Sequence, residues 1–190
     1  PMIPPLRLGL AGLGTVGIGV VKIVQRHADL IAARAGRPVQ ITAVSARDRT
    51  RNRDADLSGY AWESDPVALA RRPDIDVFIE VMGGSDGPAK QATEAAIATG
   101  KDVVSANKAL LAHHGQALAE AAEAKGQVIR FEAAVAGGIP AIKALTEGLA
   151  GNRIKRVMGV MNGTCNYILT RMESAGLPYE TVFEEARSLG

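Results

Sequence analysis

The sequence predicts an α/β fold, a parallel sheet covered by helices and followed by the opening of an α+β second domain. Three observations predict it. Strand-like apolar runs alternate with helical patterns five times at short spacing, which is the signature of βαβ units. A glycine hexapeptide, Gly12-Leu13-Gly14-Thr15-Val16-Gly17, separates the first strand pattern from the first helical one. After Ala136 the texture changes, and Gly137-Gly138-Ile139-Pro140 turns the chain into a different succession of elements. A soft boundary near 136 therefore divides residues 1–136 from residues 137–190.

Each element has its own warrant. Residues 6–11 are a short apolar run broken only by Arg7. Residues 16–35 carry apolar side chains at Val16, Val20, Val21, Val24 and Ile31, a helical spacing ended by Gly36-Arg37-Pro38. Residues 39–45 alternate apolar and polar as a strand does, and 47–58 is a polar loop. Asp65-Pro66 predicts a helix start, with Asp65 as cap and Pro66 in the first turn. Residues 76–82 read as a buried strand broken by Gly83-Gly84. A helix over 88–99 is closed by Gly100, a brief strand spans 102–105, and a helix over 113–125 is closed by Gly126. Residues 128–134 give a further strand. In the second part, a helix is expected from Pro140 to about 149, a strand over 154–161, and helices over 164–175 and 178–189.

Composition narrows the function classes. The chain has 190 residues, 47% hydrophobic and 22% charged, which is ordinary for a globular protein. Its net charge of +2 gives no argument for nucleic-acid or membrane binding. Aromatics are only 4%, so Ala, Val, Ile and Leu must carry the packing. Cys165 is the single cysteine, so no internal disulfide forms and a reducing cytoplasm is expected. No apolar run reaches the roughly 18 residues of a membrane helix. The glycine-punctuated first 25 residues do not read as a signal peptide.

The glycine hexapeptide is a weak signal by itself, but a strand before it and a helix after it make dinucleotide binding the expected reading, against a tight turn with no ligand. Gly12 is expected to make the tight turn, Gly14 to admit a diphosphate against the backbone, and Gly17 to let helix and strand pack closely. Free amides at the helix start then bind the anion. A binder of NAD places an acid at the tip of the second strand. Here the tip reads Ser45-Ala46-Arg47, with Asp48 slightly beyond it and Arg49 and Arg51 nearby. Guanidinium groups suit a 2′-phosphate, so NADP is expected over NAD, against the plainer reading of a solvated basic loop.

Three segments fall at carboxyl ends of strands, where ligands sit in such sheets. Val81-Met82-Gly83-Gly84 ends one strand, and its glycines, Gly83 foremost, suit a nicotinamide ribose or simply start a helix. Ser105-Ala106-Asn107-Lys108 ends the next. Lys108 there could protonate or polarise a carbonyl oxygen, although most lone lysines are surface charges. Glu132 stands in an apolar strand pattern within Phe131–Pro140 and so requires a partner. That partner is a hard cation shared with nearby backbone carbonyls, or the cation of a salt bridge.

The blocks SANKALLA, FEAAVAGGIP and GVMNGTCNYILTRM, in that order after a GxGxVG turn, resemble homoserine dehydrogenases across essentially the whole chain. The resemblance implies a Rossmann-type domain followed by the start of a substrate and dimerisation domain. It implies NAD(P)H-dependent reduction of aspartate 4-semialdehyde to homoserine, on the route to threonine, methionine and isoleucine, by a homodimer. It also implies that Leu13, Thr15 and Val16 line the cofactor with the glycines, that Ser105 and Lys108 face it, and that Lys108 is a catalytic lysine. Glu132 through its side chain, with Val135, Gly137 and Ile139 through their carbonyls, would match a sodium site. Asn162, Gly163 and Thr164 would meet substrate near the nicotinamide, and Cys165 would only pack.

The family's further substrate carboxylates and second catalytic lysine follow the point where this chain stops. Residues 1–190 alone are therefore expected to bind cofactor weakly and turn over little. Two rival readings remain. One is a semialdehyde dehydrogenase working through Cys165, which needs a histidine beside it, yet His27, His113 and His114 are all distant in sequence. The other is a non-catalytic module that senses the dinucleotide.

Overall fold

A computed structural model describes residues 3–189. The chain forms two compact units, Pro1–Gly148 and Leu149–Gly190. The division falls later than the change of texture near 136.

The first unit runs β1 (Leu6–Ala11), α1 (Thr15–Arg26), α2 (Ala28–Ala35), β2 (Val39–Ser45), β3 (Ala61–Glu63), α3 (Pro66–Arg71), β4 (Val77–Glu80), α4 (Pro88–Ala98), β5 (Asp102–Ser105), α5 (Lys108–Glu123) and β6 (Ile129–Arg130). A 3-10 turn, Glu132–Ala134, and the short helix α6 (Ala141–Lys143), continued by a π-helical stretch Ala144–Gly148, complete it. The strands form one sheet in the order β3-β2-β1-β4-β5-β6, every pairing parallel. This is the doubly wound Rossmann order, in which the chain reverses its winding between β1 and β4 and opens a crevice at their carboxyl ends.

Strand alternation sends neighbouring side chains to opposite faces, and each face has its own core. Leu8, Leu10, Val44, Val77 and Ile79 pack with Val21 of α1. Ala11, Phe78 and Val103 pack on the other face with Leu69, Ala92, Ala96, Leu110 and Leu118 from α3, α4 and α5. Phe78 is the one fully buried aromatic ring among the described residues. The rest of that face is closed by the alanines of α4, which bring helix and sheet close together, as the low aromatic content required.

The second unit holds α7 (Gly163–Ala175) and α8 (Tyr179–Leu189). They pack through Ile168 and Val182, with Arg171 Nε donating to Glu185 at 3.1 Å.

Several elements differ from expectation. The helix expected over 16–35 breaks at His27 (φ −118°, ψ 29°), after which α2 buries no residue. The edge strand β3, three residues long, lay hidden between two loops because its AWE sequence is too short for a periodic signal. α5 begins at Lys108 rather than 113, since the Asn107 side chain caps it by accepting from Leu110 N. The strand expected over 128–134 shrinks to β6, and Glu132 lies in the 3-10 turn instead of a strand. The helix expected from Pro140 is only partly α-helical. Residues 153–162 form no strand, because the second unit offers no neighbour to complete a ladder; Met158, Val160 and Met161 remain about four-fifths exposed.

Candidate functional site

The crevice at the β1–β4 reversal is built by three glycines with three different duties. Gly12 (φ +105°) lies where a side chain would meet the Val81 carbonyl oxygen at 2.7 Å. Its backbone must therefore pass beside the end of β4 in a left-handed conformation. A Cβ on Gly17 would sit well inside van der Waals contact with the Gly12 carbonyl, so α1 leaves the turn at the closest possible approach. Gly14 has nothing within 4 Å of a would-be Cβ. The space beside it is open, as a diphosphate requires.

α1 starts at this open point. Gly14 is its N-cap, no side chain caps it, and no acid stands in its first turn. The first helical bond runs from Ile18 N to Gly14 O at 2.9 Å. The amides of Thr15, Val16 and Gly17 precede that bond and remain available to an anion. Thr15 and Val16 are exposed, whereas Leu13 is buried in the core.

A groove of about 350 Å³ extends from this point between Leu13, Gly14, Thr15, Ile18, Gly19 and Lys22 on one side and Arg51, Asn52, Arg53 and Asp54 on the other. Arg53 organises its far wall. Its Nε donates to Leu13 O at 3.2 Å and its Nη2 to Asp48 O at 2.8 Å, while its guanidinium stands 5.7 Å from the centre of the Trp62 ring. Arg49 lies at the same distance from that ring. Asp48 is turned inward on its own loop, accepting from Thr50 Oγ1 at 2.7 Å, Thr50 N at 2.8 Å and Arg51 N at 3.2 Å. The Thr50 hydroxyl, then its amide, hold the Asp48 carboxyl below the usual range. Of the arginines named from sequence, Arg51 lines the groove, whereas Arg47 is exposed and absent from its walls. Arg53 and Trp62 were not foreseen, since only folding brings them together.

The ends of β4 and β5 share a polar network. Glu80 is fully buried. Its Oε1 accepts from Met82 N at 2.8 Å and Gly83 N at 3.3 Å, and its Oε2 accepts from Ser105 Oγ at 2.9 Å. Ser105 Oγ accepts in turn from Asn107 N at 3.0 Å, and Asn107 Nδ2 donates to Gly84 O at 2.7 Å. Ser105 thus spends its hydroxyl inside the protein. Gly83 (φ +84°) and Gly84 (φ +86°) put the loop after β4 into left-handed backbone. Lys108, the first residue of α5, is exposed at the same carboxyl edge. In the loop before α4, Asp86 accepts from Ser85 Oγ at 2.8 Å and meets His114 Nε2 at 2.9 Å, and these contacts, Ser85 first, lower its pKa.

Glu132 finds its partners in two backbone amides, Ile142 N at 3.0 Å and Lys143 N at 2.7 Å, and so anchors α6. Neither expected cation is among those contacts. Ile139 O accepts from Ala141 N at 2.8 Å, and the intervening turn places Ala136 (φ 56°) and Gly137 (φ 61°) in left-handed conformations. In the second unit, Asn162 caps α7 by accepting from Cys165 N at 2.9 Å, with Gly163 and Thr164 in the first turn. Cys165 is exposed, and every histidine of the chain lies in the first unit.

A family model described as homoserine dehydrogenase, NAD binding domain, matches residues 12–132, from the glycine turn to Glu132. The chain belongs to the homoserine dehydrogenase family. A second model, described as homoserine dehydrogenase, matches residues 140–190. The homoserine dehydrogenase of Neisseria gonorrhoeae is 45% identical over 98% of this chain, and that of Bacillus subtilis 45% over 97%. The chain spans 42% of the length of each. Among solved structures, a homoserine dehydrogenase from Thiobacillus denitrificans superposes with a TM-score of 0.89 at 43% identity, covering 100% of this chain and 43% of the other. A hyperthermophilic archaeal homoserine dehydrogenase in complex with NADPH does so with a TM-score of 0.80 at 25% identity, covering 98% and 62%. As a member of this family the chain carries its nicotinamide dinucleotide-binding domain. Among the described residues no helix is long and apolar enough to cross a membrane.

Proposed function

We propose that the complete protein is a homodimeric homoserine dehydrogenase that reduces aspartate 4-semialdehyde to homoserine with NADPH. The observation that carries this reading is the uncapped start of α1 beside the open face of Gly14, at the same sheet edge as Lys108. The bound dihydronicotinamide supplies the hydride.

The chain's residues do the rest. The amides of Thr15, Val16 and Gly17 hold the diphosphate, with Leu13 fixing the turn beneath it. Arg51 receives the 2′-phosphate through paired charged hydrogen bonds. Arg53 adds its positive charge from the groove wall while its guanidinium holds Leu13 O, Arg51 O and Asp48 O. Arg47, outside the groove, adds charge only. Asp48 is occupied by Thr50 and Arg51, so it is not offered to a ribose 2′-hydroxyl. This favours NADP. The Gly83 loop and the end of β5 at Ser105 shape the nicotinamide end. Lys108 donates a proton to the carbonyl oxygen as negative charge develops there. Asn162, Gly163 and Thr164 contribute to substrate binding. Glu132, Val135, Gly137 and Ile139 supply only oxygen donors, the class a hard cation takes, and would hold a sodium ion that firms the turn.

Lys108→Ala, in a chain carried to the full length of its relatives, tests the assignment. A fall in kcat of about 100-fold or more, with NADPH affinity retained, is expected. An undiminished rate would remove Lys108 from the chemistry, and only a full-length protein that binds NADPH without any turnover would be a dinucleotide-sensing module. Cys165→Ser should leave the rate unchanged, and its abolition would instead point to a thiohemiacetal route.

A further inference from the structure

Glu80 has no place in the chemistry described above, yet it is a carboxylate with no exposed surface and no cationic partner among the described residues. Burying such a group is costly unless every lone pair in use meets a donor. Its partners meet that demand in a fixed order. The Asn107 amide can only donate, so it assigns Ser105 Oγ as acceptor and turns the hydroxyl proton toward Glu80 Oε2. The amides of Met82 and Gly83 take Oε1. The Glu80 carbonyl also accepts from Ala106 N at 3.2 Å. One residue therefore holds both the glycine loop after β4 and the turn from β5 into the Lys108 helix.

We propose that Glu80 is a positioning residue, which locks these two loops to each other and so sets where the nicotinamide end of the cofactor sits relative to Lys108. The proposal rests on the dinucleotide reading above. The diphosphate end takes no hydrogen bond from the Glu80 carboxylate: it depends on the amides of α1 and on the glycine turn, which passes beside Val81 but hangs from β2 through Gly12 N to Ser45 O at 2.9 Å. The two ends of the cofactor should thus respond differently when the lock is opened. Glu80→Gln weakens it: the amide oxygen can still take Met82 N and Gly83 N, but the NH2 group must donate to Ser105 Oγ, which leaves the buried Ser105 hydroxyl proton without its carboxylate acceptor.

The test titrates the chain and its variants with two probes, NADPH and 2′-phospho-ADP-ribose, which lacks the nicotinamide. In the unsubstituted chain NADPH should bind more tightly. In Glu80→Gln that advantage should fall about tenfold, with the affinity for 2′-phospho-ADP-ribose unchanged. Ser105→Ala removes the bridging hydroxyl while leaving the buried carboxylate its two amides. It should lose the same advantage, and it serves as the decisive variant if Glu80→Gln does not fold. Equal loss for both probes would mean that Glu80 only supports the fold, and would overturn the proposal. So would an unaltered NADPH advantage, or the absence of any such advantage in the unsubstituted chain. Binding of neither probe, by this chain and by a chain carried to the full length of its relatives, would instead defeat the dinucleotide reading itself.

Discussion

At the residue scale the three glycines of the turn separate folding from binding. Gly17 is required by packing, since any side chain there collides with the Gly12 backbone carbonyl, which has little room to move. Gly17→Ala is expected to cost roughly 1–3 kcal/mol, as overpacking does, and to lower the thermal midpoint. Gly14 is different. Its φ of −78° suits any residue and its Cβ position is empty. Gly14→Ala should leave the thermal midpoint within a few degrees while reducing NADPH affinity about tenfold or more, because the methyl group occupies the diphosphate's approach. Thermal unfolding and cofactor titration on both variants check the pair, and a destabilised Gly14→Ala would contradict the assignment of that open face. The sequence pattern alone anticipated the tight turn at Gly12 and the close approach at Gly17. It was silent on Glu80, although the reasoning that singled out Glu132 applies equally to an acid within DVFIEVM.

At the element scale the strands are tied at their amino ends by ion pairs remote from the crevice. Arg7 at the start of β1 donates to Asp76 just ahead of β4, from Nη2 at 2.7 Å, from Nε at 3.1 Å and from its own backbone N at 2.8 Å. The Arg7 side-chain hydrogen bonds are the main reason that the Asp76 carboxyl titrates below its usual range. A carboxyl whose folded pKa is depressed contributes stability that is present above its unfolded value of about 3.9 and is lost as pH falls through the folded value. Asp76→Asn should therefore lower the melting temperature near neutrality and flatten its decline below about pH 4. Melting curves at pH 7, 5 and 3 measure both effects, and parallel acid limbs in the two proteins would refute the role.

A second element-scale prediction concerns α5. Asn107 caps this helix and also holds Gly84 O. Asn107→Ala should cost about 0.5–2 kcal/mol of stability from the cap. It should also weaken NADPH binding, since the Gly84 loop is released at the same time. Denaturant unfolding and titration read the two consequences separately.

At the scale of the whole molecule, both buried clusters and all six strands belong to the first unit. A chain ending at Gly148 is therefore expected to keep a cooperative thermal transition and to bind NADPH within about twofold of the 190-residue chain. Loss of either property would show that residues 149–190 are needed to complete the nucleotide domain.

The sequence by itself determined the α/β class, the order of the principal elements and the glycine turn. These depend on local periodicity and on spacing along the chain, which a linear reading captures. Only the tertiary structure decided where the helix over 16–35 breaks, that β3 exists, that 154–161 is not a strand and that α5 begins at Lys108. It also decided which arginines face the groove, that Glu132 is satisfied by amides, and that Glu80, Ser105 and Asn107 form one network. Each of these depends on a partner distant in sequence, such as a neighbouring strand, an amide to accept from or a ring to stack on. The energy of a buried polar group or an edge strand is set by that partner and not by the residue's own neighbours.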